Sequence, residues 1–512
     1  MSLSADMTNV KAKSAFPGIA WCTPQERRRD TAYILHGNKP GRRWARCALV
    51  LAMAIGEGRA WQSPPSKLPI LTTARTVHSL TAEEAARAYP VHLRAVVTYY
   101  DPYIDARHGA LFTQDSTGGI FVAIPKKPVL PLQAGTLVDV VGVTSAGDYA
   151  SMIEGSAVRV IGNSHLPEDA PRVSLSHLLT GADDGQWVEV SALVHSVAVS
   201  EWNATFDLAM TDGIVRATTL RQKGVDYDRL VDARVSIRGS AAPIFNSNHQ
   251  MSGARLFFPS LEAVTIEEPA PADPFALPTR PVDGLLRYVP GRTFLHRVRV
   301  RGRVTLQWPG RLLCIQDDTQ GLCVPTVQST PVNPGDLVDV VGFPEAGEFR
   351  PTLTGARFRR AGGGQPIAAT PITAEAAFKG DHDSELVRIE GELIGRDRAA
   401  TDPALVLSSG KFLFPVILPN GAADRAIPEW KEGSTLQVTG VCSVQVDSQG
   451  TSMGEGNTLP KSFRILVRSP LDLVVVRMPS WWTARHLLEV LGLVLGMRPC
   501  RCLFGCSYCG TG

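Results

Sequence analysis

The sequence predicts an all-β protein of tandem small β modules with short helices only, and three observations predict it. From about Leu71 to Val476 the chain is a series of short alternating runs such as Leu137-Val-Asp-Val-Val-Gly142, the period of two expected of a strand with one buried face. Its 46 Gly and 37 Pro divide these runs and leave no room for crossover helices. Most specifically, the chain repeats itself. Gly135-Thr-Leu-Val-Asp-Val-Val-Gly142 returns as Gly335-Asp-Leu-Val-Asp-Val-Val-Gly342, and Ala146-Gly-Asp-Tyr149 as Ala346-Gly-Glu-Phe349, both at an offset of 200.

Two further matches flank these. Leu111-Phe-Thr-Gln-Asp-Ser-Thr-Gly-Gly-Ile-Phe-Val122 resembles Leu313-Cys-Ile-Gln-Asp-Asp-Thr-Gln-Gly-Leu-Cys-Val324, and Gly181 to Val190 resembles Gly380 to Ile389. A unit of about 200 residues therefore occurs twice. Alternating strands open two subunits in each copy: Val91 to Val97 and Trp187 to Val194, then Val298 to Val304 and Leu386 to Ile394. Each passes through hairpins to a later run such as Arg234-Val-Ser-Ile-Arg-Gly239 or Thr435-Leu-Gln-Val-Thr-Gly440. Four modules follow, at residues 70–165, 171–267, 280–362 and 370–478, as two copies of a pair. Five or six short strands apiece point to OB-like barrels, with a β-sandwich as the alternative. The Pro-rich Glu268-Pro-Ala-Pro-Ala-Asp-Pro274 links the halves, and shorter polar stretches near His165 to Pro171 and Gly362 to Pro371 link the modules within them.

Taken in order, residues 1–60 carry ten Lys/Arg against four acids, a balance of +6. Arg42, Arg43 and Arg46 precede the apolar run Cys47 to Ile55, and Gly58-Arg59-Ala60 supplies a small-x-small pattern, so this segment predicts a signal peptide or anchor. A buried cytosolic helix is the plainer alternative, and the roughly forty residues before Arg42 exceed an ordinary leader. Thr81 to Ala88 reads as a helix, because Thr81 and Glu84 have capping-box spacing and Pro90 stops continuation.

Tyr99-Tyr100-Asp101-Pro102-Tyr103 falls between the first two strands of module 1, and Leu306-Gln-Trp-Pro-Gly310 takes the matching place in module 3. Read as exposed loops, they make Tyr99, Tyr100, Tyr103 and Trp308 candidate ligand-binding residues that stack on a base, a sugar ring or an apolar ligand. Packing on the rim or on a neighbouring module is the alternative. A hairpin centred on Ser116-Thr117 sets Phe112 opposite Phe121, and the same register sets Cys314 opposite Cys323. Joint replacement of a facing Phe pair by Cys is what a cross-strand disulfide requires; two buried thiols are the alternative. Asp115 and Asp317, in Gln-Asp-x-Thr turns, are expected to bond backbone amides. Asp139 and Asp339 are expected to face solvent from otherwise apolar strands.

Near the end, Pro479-Ser-Trp481-Trp482 leads into the apolar run Leu487 to Met497, which is interrupted by Glu489 and too short to span a membrane. It reads as a truncated membrane helix or a packing helix. Cys500, Cys502, Cys506 and Cys509 then crowd together. Four such ligands can hold zinc, but the abrupt change of composition instead predicts a reading-frame change or truncated gene product.

Residues 61–479 carry a balance of −5, which argues against binding a phosphate backbone. The sequence contains no His-Glu-x-x-His zinc pattern, no Gly-x-x-x-x-Gly-Lys-Ser/Thr loop, no Gly-x-Ser-x-Gly elbow with evident partners and no βαβ unit. Neither an enzyme nor a bound cofactor is expected.

The Thr76-Val-His-Ser-Leu80 entry, the Val96-Val-Thr-Tyr-Tyr-Asp-Pro102 and Phe112 to Phe121 strands, and the Pro479-Ser-Trp-Trp482 exit together resemble the extracytoplasmic, periplasmic input region of bacterial membrane-bound sensor histidine kinases. The resemblance covers about residues 70–495. It implies tandem OB-type modules followed by a transmembrane helix and an output domain. No His-bearing dimerisation helix or ATP-binding pattern follows Met497, so kinase activity is not carried over. The expectation is a sensory or ligand-binding region of a truncated two-component receptor, in the periplasm or cell envelope and held to the membrane through its termini. Its expected partner is a small ligand or a periplasmic protein, with nucleic acid disfavoured. The alternative is a secreted OB-fold protein that binds oligosaccharide or nucleic acid.

Overall fold

A computed structural model describes residues 68–105, 108–288, 295–397, 402–419, 430–446, 459–479 and 488–492. Four sheets follow one another along the chain. The first contains β1 (Pro90–Asp101), β2 (Gly109–Gln114), β3 (Gly119–Ile124), β4 (Thr136–Ser145) and β5 (Met152–Asn163), closed in the order β1-β2-β3-β5-β4. The second contains β6 (Trp187–Val199), β7 (Asn203–Met210), β8 (Gly213–Leu220), β9 (Arg234–Phe245), β10 (Met251–Phe257) and β11 (Val264–Glu268). There β10 pairs with both β8 and β9, closing the same ring, while β11 lies outside along β9.

The third sheet contains β12 (Thr279–Arg280), β13 (Val298–Trp308), β14 (Leu312–Gln316), β15 (Gly321–Pro325), β16 (Leu337–Ala346) and β17 (Pro351–Gly362), in the order β15-β14-β13-β16-β17 with β12 on β13. Side chains bridge its open seam between β15 and β17: Thr352 Oγ1 donates to Cys323 O at 2.8 Å and Thr326 Oγ1 to Ala356 O at 2.9 Å. The fourth contains β18 (Thr370–Pro371), β19 (Leu386–Asp397), β20 (Ala404–Ser409), β21 (Phe412–Ile417), β22 (Thr435–Val446), β23 (Pro460–Leu466) and β24 (Leu473–Arg477). It closes because β22 pairs with both β19 and β23. The fold is all-β, made of OB-like barrels with short helices, each around a hydrophobic core, with Phe343 of the third sheet joining the core of the second.

The first long strand of each barrel serves two neighbours. In β1, Pro90–Val96 pair with β4 and Val96–Asp101 with β2, and the register shifts between Val97 and Tyr99. Equivalent shifts fall at Val194/Ser196, Val304/Leu306 and Leu393/Gly395. Such a bulge bends the strand into the barrel wall and breaks the two-residue period. This corrects the sequence expectation: Tyr99, Tyr100, Leu306 and Trp308 lie in strands beyond the bulge, not in loops.

The helices are α1 (Ala74–His78), α2 (Ala82–Ala85), α3 (Leu175–Leu178) and α4 (Ala374–Lys379). A complete Thr81–Glu84 capping box opens α2, but the helix stops at Ala85 and not Ala88, whose φ of 57° is left-handed. The N-cap residue of α1, Thr73, makes no side-chain capping bond; Asp115 Oδ2 accepts from Ala74 N at 2.9 Å instead. In module 3, Asp317 Oδ2 likewise accepts from Val282 N at 2.8 Å. The other oxygen of each Asp accepts from its own turn, from Thr117 N and Thr319 N at 2.7 Å. Both aspartates thus bond backbone amides, joining a hairpin to the entry of its module.

Within each pair the modules meet on equivalent positions. Tyr99, Ala110 and Phe112 pack on Ala242 and Phe257, with Phe121 beside them. In the second pair Leu306, Trp308 and Cys314 pack on Leu386, Val441 and Leu466. Phe112 faces Phe121, and Cys314 faces Cys323, to which it is joined by a disulfide. A glycine permits the approach at each seam. A Cβ on Gly119 would lie 2.0 Å from Gly185 O, and one on Gly321 2.0 Å from Ser384 O.

Candidate ligand-binding site

Three of the four predicted stacking residues are structural. Tyr99 is buried in the first seam, its ring 5.1 Å from Phe257 and its hydroxyl donating to Asp101 Oδ2 at 3.3 Å. Burial raises its phenol well above the ordinary value, and the Asp101 charge adds to this. Tyr100 belongs to the module 1 core, and its hydroxyl accepts from Leu130 N at 3.2 Å. Trp308 is buried in the second seam and its Nε1 donates to Val467 O at 3.1 Å. None of these three offers a free face to a ligand; the inter-module packing alternative describes Tyr99 and Trp308.

Tyr103 is different. It lies in the turn after β1, 47% exposed, and its ring stacks on Trp202 with centroids 4.6 Å apart. Trp202 is 50% exposed and comes from the β6–β7 turn of module 2. The sequence reading missed it. Its signal was positional, since this turn is the module 2 counterpart of the turn that carries Tyr103. Both turns are fixed by hydrogen bonds to their backbone groups. Buried Asp101 accepts from Tyr103 N through Oδ1 at 2.8 Å. Ser200 N donates to Asn203 O at 2.8 Å, Asn203 N to Ser200 Oγ at 2.9 Å, and Arg221 N to Trp202 O at 2.7 Å.

In the first seam, Arg255 lies over the Phe257 ring at 4.9 Å, and its buried Nε has no partner among the described residues. Burial lowers its pKa from the usual arginine value, partly offset by Tyr99. The two turns thus present a stacked, half-exposed aromatic pair where two barrels meet. The connection between the first two strands is where OB folds bind bases and sugars. Among the described residues no group of three or more His, Cys, Asp or Glu is placed to hold a metal. Residues 1–60, Trp481, Trp482 and the cysteines at 500, 502, 506 and 509 lie outside the described residues. No described helix is long and apolar enough to cross a membrane.

Asp339 corrects a second expectation. Alternation turns it away from the core as read, yet it is only 1% exposed. Arg301 Nε donates to its Oδ1 at 2.7 Å, with Arg299 at 3.2 Å and Arg359 at 3.5 Å. A period of two gives the side of the strand, not what covers it. Asp139 is likewise mostly covered, with His92 at 2.7 Å and Arg159 at 3.0 Å. Burial pushes the Asp339 carboxyl up, but Arg301 and Arg299 outweigh it and hold the group below its usual range. A pKa lower in the folded state means stability that is present above the unfolded value and lost as pH falls through the folded one. Asp339→Asn is therefore expected to lower stability near neutrality by about 1–3 kcal/mol. It should also shrink the fall in melting temperature between about pH 6 and pH 3. Melting curves across that range check both.

No protein-family model matches the chain, and no curated protein does. Solved structures match at low likeness. A replication protein A heterotrimer bound to ssDNA is 9% identical, with a TM-score of 0.20, over 60% of this chain and 96% of that one. A murine DNA binding protein bound with ds DNA is 11% identical, with a TM-score of 0.19, over 35% of this chain and 99% of that one. The aspartyl tRNA synthetase of Entamoeba histolytica is 10% identical, with a TM-score of 0.17, over 21% of this chain. The chain spans about a quarter of that enzyme and of its counterpart from Leishmania major Friedlin. Likenesses at this level carry no argument about this chain.

Proposed function

We propose that this chain is an extracytoplasmic sensory or ligand-binding region, of the kind that serves membrane-bound sensor histidine kinases, and that it binds a ring-bearing small ligand of saccharide type. The Tyr103–Trp202 stack carries the reading. Two half-exposed aromatic rings, fixed by backbone bonds on the turns of adjacent barrels, suit the flat face of a sugar ring. The Cys314–Cys323 disulfide supports an oxidising, extracytoplasmic compartment. The acidic balance of residues 61–479 weighs against a phosphate backbone as ligand. Tryptophan fluorescence titrations against neutral and acidic oligosaccharides, with a single-stranded oligonucleotide for comparison, test it. A saturable saccharide response that weakens about tenfold or more in Trp202→Ala and Tyr103→Ala is expected. A response that survives both substitutions, or one to the oligonucleotide alone, would overturn it.

A further inference from the structure

The Asp339 cluster of module 3 has a counterpart in module 1. Across the outer faces, Arg301 pairs with Asp339 and Asp339 with Arg359, as Arg94 pairs with Asp139 and Asp139 with Arg159. Arg299 lies opposite Val341, and His92 opposite Val141.

In module 3 this face holds a piece of the chain's own linker. Arg299 Nη1 donates to Phe275 O at 2.8 Å and to Leu277 O at 3.1 Å. The Arg359 guanidinium lies over the Phe275 ring at 4.6 Å and pairs with Asp273 at 3.6 Å. The bound stretch is Asp273-Pro-Phe-Ala-Leu277, with one 3-10 turn at Pro274–Ala276. Its acid and its ring are both read by arginine, which pairs with carboxylates and stacks on aromatic faces.

In module 1 the same face, among the described residues, holds a groove of about 550 Å³ lined by Thr72, His92, Arg94, Asp139, Arg159 and Ile161. Asp139 is engaged by His92 and Arg159, and Arg94 forms no ion pair among the described residues. Two arginines and a histidine face one carboxylate, so the groove is basic on an acidic body and complements an acidic occupant.

We propose that this groove is a docking site for a partner protein's peptide segment that carries an acidic residue with an aromatic ring two positions later, the chemistry that Asp273 and Phe275 offer to module 3. The site is separate from the Tyr103–Trp202 stack and does not rest on saccharide binding.

The test uses the full chain and a fluorescent peptide of sequence Ala-Asp-Pro-Phe-Ala-Leu-Pro, that of residues 272–278, read by anisotropy. Saturable binding below about 1 mM is expected. It should weaken about tenfold or more in Arg94→Glu and in Arg159→Glu, and equally when Ala replaces the peptide's Asp or Phe. Arg94 and Arg159 are exposed, so unchanged melting temperatures will show that both variants fold. Absence of saturable binding overturns the proposal. Binding that persists in both variants also overturns it, since the peptide would then be displacing the module 3 linker.

Discussion

Trp308→Ala is expected to destabilise the second pair of modules by about 3–5 kcal/mol and to split its unfolding into separable transitions. The side chain is buried at the seam beside Leu386, Val441 and Leu466 of module 4, and its indole nitrogen donates to the main chain at Val467. Removing it opens a cavity between two barrels and leaves that carbonyl without its partner. Arg311 lies over the indole at 5.3 Å while bonding Asp402 through both terminal nitrogens, at 2.8 and 2.7 Å, so this bridge is loosened as well. Urea unfolding followed by fluorescence, with limited proteolysis of the intermediate, measures the effect. One unchanged cooperative transition would mean that the seam does not couple the modules.

Gly321→Ala should cost about 3 kcal/mol, at the upper end for an added methyl group, because what it meets cannot rotate away. Its Cβ would lie 2.0 Å from Ser384 O, 2.3 Å from Ser384 C and 2.8 Å from Glu385 N, all main-chain atoms. Ser384 itself has a φ of 63°, so that backbone has little freedom to retreat. Gly119→Ala meets Gly185 O at the same 2.0 Å and should behave alike in the first pair. At Gly162 an added Cβ has nothing within 4 Å, which makes Gly162→Ala the control, with a near-neutral effect on the midpoint. Equal midpoints for the two substitutions would show that the seam yields.

The sequence revealed whatever is local and periodic. Alternation and turn residues gave the barrels, the repeat gave their pairing in twos, and the hairpin register alone sets Cys314 opposite Cys323. The bulge in each first strand was illegible because it interrupts the very period by which strands are recognised, which sent Tyr99, Tyr100 and Trp308 into loops. The burial of Asp339 was illegible for another reason, since its cover comes from arginines on β13 and β17. The same holds for α1, capped from a hairpin about forty residues away. Of the candidate site, Tyr103 was visible and Trp202 was not. A single aromatic in a module 2 turn gives no signal until the fold sets that turn against its module 1 counterpart.

The two seams use matching positions but different bonding. The first joins its barrels through aromatic packing and hydrogen bonds, between Thr98 Oγ1 and Ser240 Oγ at 2.8 Å and between Gln186 and the Gly119 main chain at 2.9 and 3.0 Å. The second contains a covalent clasp that fixes its hairpin edge. Asp101, which holds the Tyr103 turn, is also the last residue of the strand that carries Tyr99 into the first seam. The exposed Tyr103 ring and the first seam therefore share one strand end, where the Asp101 carboxylate accepts from both Tyr103 N and the Tyr99 hydroxyl.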